Sequence, residues 1–184
     1  MLSLIYSFFK SFLCAIFGNH ELGAKIALER GNKFLKGVPG QCIAQFDPFY
    51  RGVCLYAMAR KTNKAKYKKH ANNVRSRLKR WIKSGFINVV HHSKILDAEE
   101  AALCGRIHDA YKLYKEACVM TVRNGFTHDA ALANERYAEL LLQSKDRNSF
   151  LDAVYRLNEA IKLYLQWGSN AKVQMLRDKY SGIL

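Results

Sequence analysis

Proline and acid are scarce in this chain. Two prolines and eleven glycines in 184 residues leave no stretch that could serve as a long disordered linker, and 49% hydrophobic residues are ample for a packed core. Aspartate and glutamate number 15 against 30 lysines and arginines, so the chain carries +15, which excludes an acidic tail or a polyanion mimic. Nucleic acid, an anionic membrane and acidic protein surfaces stay open as partners. Cysteine is sparse and odd in number: Cys14, Cys42, Cys54, Cys104 and Cys118, with no close pair and no Cys-x-x-Cys. That argues against a disulfide framework or a zinc cage. Cys14, Cys54 and Cys118 sit among apolar helical residues, as small buried hydrophobes do. The usage points to a reducing, cytoplasmic setting.

Motifs of catalysis are missing too. There is no Gly-x-x-x-x-Gly-Lys-Ser/Thr, Gly-x-Gly-x-x-Gly, His-Glu-x-x-His or Gly-x-Ser-x-Gly. His91-His92 is the clustered histidine pair, but neighbours on a helix point about 100° apart and do not chelate as an i,i+4 pair would. They read as helix-start or surface histidines. Asp129 stands where a helix begins and suits the macrodipole, and Asn134 and Glu135 read as inter-helix hydrogen-bonding groups. No catalytic, cofactor-binding or metal-binding residue is assigned, no cofactor is expected, and the chain reads as a non-enzyme.

Residues 1–18 are the one apolar run that could mislead. A signal peptide carries its charge before the apolar core, whereas Lys10 lies inside it, and a transmembrane helix needs about 20 apolar residues. Ser3, Ser7, Lys10 and Ser11 share one helical face, so the run reads as a buried amphipathic helix, with membrane contact a minor alternative.

Helical periodicity continues to the end of the chain, with no alternating strand pattern. Helices are expected over about 20–36, capped by Gly37, and from Asp47-Pro48, with aspartate as cap and proline in the first turn. Pro39 and Pro48 make residues 37–48 the main irregular connection. Further helices are expected over 63–84, 90–104, 107–124, 127–144, 149–167 and 170–180, with Gly105, Gly125 and Gly168 ending three of them in left-handed backbone.

The helix over 63–84 carries an apolar stripe of Tyr67, Ala71, Val74, Leu78 and Trp81. Its other faces are basic: eleven lysines and arginines lie between Arg60 and Lys83 with no acid among them. The rest of the chain holds 19 basic and 15 acidic residues, so the charge is a local feature. A solvated face is the plainer reading. The functional one is docking to a polyanion, for which Lys66, Lys69, Arg75, Arg77 and Arg80 are the candidates. No exposed aromatic is expected among them, so steep salt dependence and little sequence preference would follow.

Sliding the chain by 43 residues aligns Asp109-Ala110 with Asp152-Ala153, Glu116-Ala117 with Glu159-Ala160, and Gly125 with Gly168. The alanines lie two turns apart on one face and admit a close neighbour, as in tetratricopeptide-like repeats. Helices 90–104 and 107–124 would form one pair and 127–144 and 149–167 the next.

The string Gly125-Phe126, then Ala130 through Tyr137-Ala138, resembles a pattern in large multidomain signalling proteins. So do Tyr164-x-x-Trp167-Gly168 with Ala171-Lys172-Val173, the Phe49-Tyr50-x-Gly52 element and Leu96-x-Ala98-Glu99. Those proteins combine kinase-like regions, a predicted nucleotide-binding ATPase, a tetratricopeptide-like helical region and often sensor histidine kinase domains. The likeness runs from about residue 12 onward and concerns the helical region. Nothing catalytic carries over, since no kinase His-Arg-Asp or Asp-Phe-Gly element occurs.

The expected fold is therefore all-α: antiparallel helical hairpins stacked as an irregular tetratricopeptide-like α-solenoid. It would be one domain over 1–184, with N-terminal helices over 1–84 and two helix pairs over 88–180. Ala110, Ala117, Gly125, Ala133, Tyr137, Ala153, Ala160, Trp167 and Gly168 are its scaffold positions. The resemblance implies a non-catalytic scaffold for protein–protein contact in signal transduction, as a free module or a fragment of a larger signalling protein. The alternative is a nucleic-acid- or polyanion-binding protein using residues 60–83.

Overall fold

A computed structural model of the chain describes residues 2–37 and 43–184. Among the described residues there are ten α-helices and no strand: α1 (Leu2–Ile16), α2 (His20–Arg30), α3 (Lys33–Gly37), α4 (Ile43–Thr62), α5 (Ala65–Lys83), α6 (Val90–Leu103), α7 (Ile107–Arg123), α8 (Thr127–Leu141), α9 (Arg147–Gln166) and α10 (Asn170–Lys179). A 3-10 turn, Ile87–Val89, precedes α6. No helix among the described residues is long and apolar enough to cross a membrane. The chain divides into two compact units, Met1–Arg106 and Ile107–Leu184.

In the first unit α4 is the central helix, packing against α1, α2, α5 and α6. Its sequence is apolar on nearly all sides, from Phe49 through Ala59, which is what a helix surrounded by others requires. Glycine brings two neighbours close. A Cβ on Gly52 would stand 2.6 Å from Leu96 Cδ1 of α6, and one on Gly23 of α2 would stand 2.4 Å from Cys54 Sγ. Phe49 stacks on His92 with ring centroids 4.0 Å apart.

Several boundaries differ from expectation. The helix expected over 20–36 is broken at Gly31, whose φ of 51° ends α2 before α3 begins. The helix expected to start at Asp47-Pro48 already runs at Ile43, so Asp47 is not its cap and Pro48 lies within it. Pro39 and Cys42 lie outside the described residues. His91 and His92 begin α6, yet both are buried rather than at the surface. In α1 two of the three serines turn inward: Ser11 is buried, and Ser7 Oγ accepts a hydrogen bond from Arg30 at 3.3 Å, while Ser3 is exposed. Its apolar residues Leu2, Tyr6, Phe9 and Leu13 are exposed, so the helix is only half buried. Ser7 gives the buried Arg30 guanidinium one of the acceptors it needs.

In the second unit α7, α8, α9 and α10 pack in sequence order. Small residues and one ring pair line its interior. Ala110, Ala117, Ala133, Ala153 and Ala160 are fully buried, and Tyr114 stacks on Tyr137 with centroids 5.4 Å apart. Asp146 caps α9 by accepting from the Ser149 amide at 2.8 Å. Gly125 and Gly168 hold φ of 73° and 84°, the left-handed conformation that costs a glycine nothing. Trp167 stays partly exposed and stacks on His128 instead of entering the core. The unit boundary falls between α6 and α7, the two members of the first expected pair. In its own unit α6 packs on α4 and α5, where ion pairs fix it: Arg60 to Glu99 at 2.8 Å, and Arg75 and Lys79 to Asp97.

Candidate anion-binding face

The basic helix α5 is anchored by Ala71, Val74 and Leu78, which are buried. The cations on either side of that seam have different fates. Arg75 bonds Asp97 and lies 3.7 Å from Glu100, and Lys79 reaches Asp97 at 2.8 Å. These are structural ties to α6, so Arg75 is not the free polyanion ligand expected of it. Lys66, Lys69, Arg77 and Arg80 have no carboxylate partner among the described residues. Spacings of three and four place them with Asn73 on one helical face. Lys66 lies over the Tyr67 ring at 5.0 Å.

Arg77 and Arg80 line a cleft of about 300 Å³ shared with α4 and the end of α2. Across it stands Arg51, buried, from the apolar run of α4. Arg51 donates to Asp47 Oδ2 and to the Ala27 carbonyl, each at 3.3 Å. Asp47 also bonds Arg30, so one buried carboxylate serves two buried guanidiniums. Burial holds the Asp47 carboxyl above the ordinary aspartate range, against the pull of Arg30 and Arg51. Burial also lowers the Arg77 guanidinium, and the charges of Arg51 and Arg80 lower it further. Arg51, His70 and Ser76 were not singled out in sequence. The three-and-four spacing from Lys66 could have found His70, but nothing marks Arg51 inside an apolar run.

Two aromatics stand at the C-terminal end of this face. Trp81 is half-buried and borders an open depression with Arg77, Arg80 and Ser84. The exposed Phe86 ring lies 6.5 Å from it.

The second unit holds a different polar cluster. Glu135 on α8 accepts from Lys172 Nζ at 2.7 Å and from the Tyr164 hydroxyl at 2.9 Å, all three groups buried. Burial raises the Glu135 carboxyl and lowers the Lys172 ammonium from their ordinary values, each opposed by the charge of the other. Asn134 accepts from Arg156 of α9 at 3.2 Å and donates to the Ala130 carbonyl. Both residues make the inter-helix bonds expected of them. Comparison of the chain with protein-family models, curated proteins and solved structures finds no match.

Proposed function

We propose that this chain is a non-catalytic, helical-repeat scaffold for protein–protein contact, of the kind the resemblance to signalling proteins implies. In this reading its helices form antiparallel hairpins stacked as an irregular solenoid. The partner is an acidic protein segment held on the α5 face. The observation that carries the reading is the division of α5: its cations toward α6 are neutralised, while Lys66, Lys69, Arg77 and Arg80 make no ion pair among the described residues. Keeping four like charges on one helical face costs stability, which a partner's carboxylates offset. The buried ionisable groups Asp47, Glu99 and Glu135 each meet a cation, which suits packing roles.

A second reading, single-stranded nucleic acid on the same face, draws support from Trp81 and Phe86 beside Arg77 and Arg80, since bases stack on such rings. Affinity capture from nuclease-treated extract tests between them. An acidic protein retained by the wild type and lost with Lys66→Glu, Lys69→Glu, Arg77→Glu and Arg80→Glu supports the scaffold. Material that disappears with nuclease supports the second reading.

A further inference from the structure

We propose that the cleft between α4 and α5 binds a terminal phosphoryl group, free or on a small organic body, with Arg51, Arg77 and Arg80 as its cations. The first ground is charge. Among the described residues Arg30 and Arg51 pair with the one carboxylate of Asp47, which leaves this buried cluster one positive charge in excess. Arg77 and Arg80 add two more, and no carboxylate lines the cleft among the described residues. A phosphoryl dianion cancels most of that excess. A carboxylate or a phosphodiester, with one charge, cancels less.

The second ground is an unmet donor. Arg51 is 3% exposed, and its Nε is buried without a hydrogen-bond partner among the described residues. A buried guanidinium donor without an acceptor is costly, and a guanidinium fork matches phosphate oxygens. Asn73 and Ser76 supply neutral donors at the cleft wall, and His70 completes it. Burial lowers the Arg77 guanidinium, and the neighbouring charges of Arg51 and Arg80 add to that effect against the opposing pull of Asp47.

The third ground is size. About 300 Å³ is the lower end of small-molecule pockets, enough for a phosphoryl group with a sugar-sized body. It lies between the end of α2, α4 and α5. The α5 face and the cleft share Arg77 and Arg80, but the cleft stands on Arg51 and the recess, so each can fail alone.

Calorimetric titration of the full chain tests this, with inorganic phosphate, glycerol 3-phosphate and adenosine 5′-monophosphate as probes and sodium chloride of equal ionic strength as blank. Saturable binding at one site per chain is expected. Arg77→Gln with Arg80→Gln should weaken it about tenfold or more. Ser76→Asp, at an exposed position of the cleft wall, should abolish it by placing a carboxylate there. Lys64→Gln with Lys68→Gln removes the same charge outside the cleft and should leave affinity within about twofold. An ester binding more tightly than inorganic phosphate identifies a small ester as the source, and equal affinities identify free phosphate. Absence of saturable binding, or equal weakening by Lys64→Gln with Lys68→Gln, overturns the proposal. Capture of a partner through Lys66 and Lys69 would survive either of these results.

Discussion

Lys172 and Glu135 illustrate how a buried charge is tolerated at the scale of single residues. Each alone would be driven to its neutral form by burial, and each opposes that shift in the other. Replacing Lys172 by methionine leaves Glu135 buried with only the Tyr164 hydroxyl as donor, so its carboxyl rises further above the ordinary value of about 4.3. A carboxyl raised in the fold loses stability as pH climbs from its unfolded value through its folded one. The Lys172→Met variant should therefore be near wild-type in acid and lose about 3–5 kcal/mol by neutral pH. Adding Glu135→Gln should recover most of that loss. Urea unfolding across pH checks both. An equal loss at all pH values would mean that packing, not charge, is at stake. Thiols give a second residue-scale test. Burial pushes the Cys118 thiol up to about 11, whereas Cys104 is exposed. At pH 8 an alkylating reagent should modify Cys104 in the native protein and leave Cys118 intact, as read by peptide mass mapping.

Helices show what periodicity can and cannot reveal. α5 through α10 lie within a few residues of their expected ranges, because helical periodicity runs through them and four of the six are followed by a glycine of positive φ. The alanines of the 43-residue repeat are buried as their spacing implies. The first unit was less legible. α4 is apolar on nearly all sides, so no stripe marks its start, and Asp47-Pro48 imitates a helix beginning while serving a buried ion pair. Ser7 of α1 accepts from Arg30, a long-range partner that no local pattern announces. Close approach at Gly52 was equally invisible. Alanine there gains about 1 kcal/mol of helix propensity but drives a methyl into the fully buried Leu96, an overpacking cost of about 1–3 kcal/mol. Gly52→Ala should lower thermal stability, and Leu96→Ala in the same chain should lose less than it does alone. A Gly52→Ala variant more stable than wild type would show that α6 can shift.

For the whole molecule, the excess of charge has one address. Arg75 and Lys79 are spent on α6, and Lys66, Lys69, Arg77 and Arg80 make no ion pair among the described residues. Sequence located the basic helix but could not divide it, because the acids that neutralise Arg75 and Lys79 lie on a later helix. If net charge alone drew the partner, any four exposed cations would serve equally. The most direct test compares two variants of equal charge. One carries Lys66→Gln, Lys69→Gln, Arg77→Gln and Arg80→Gln. The other carries Lys112→Gln, Lys115→Gln, Arg123→Gln and Lys145→Gln, all exposed in the second unit. Both are checked for helicity by circular dichroism and then used to capture proteins from nuclease-treated extract. The expected result is that the α5 variant loses an acidic partner that the wild type and the second variant retain. Equal loss from both variants, or retention by the α5 variant, would contradict the assignment of that face.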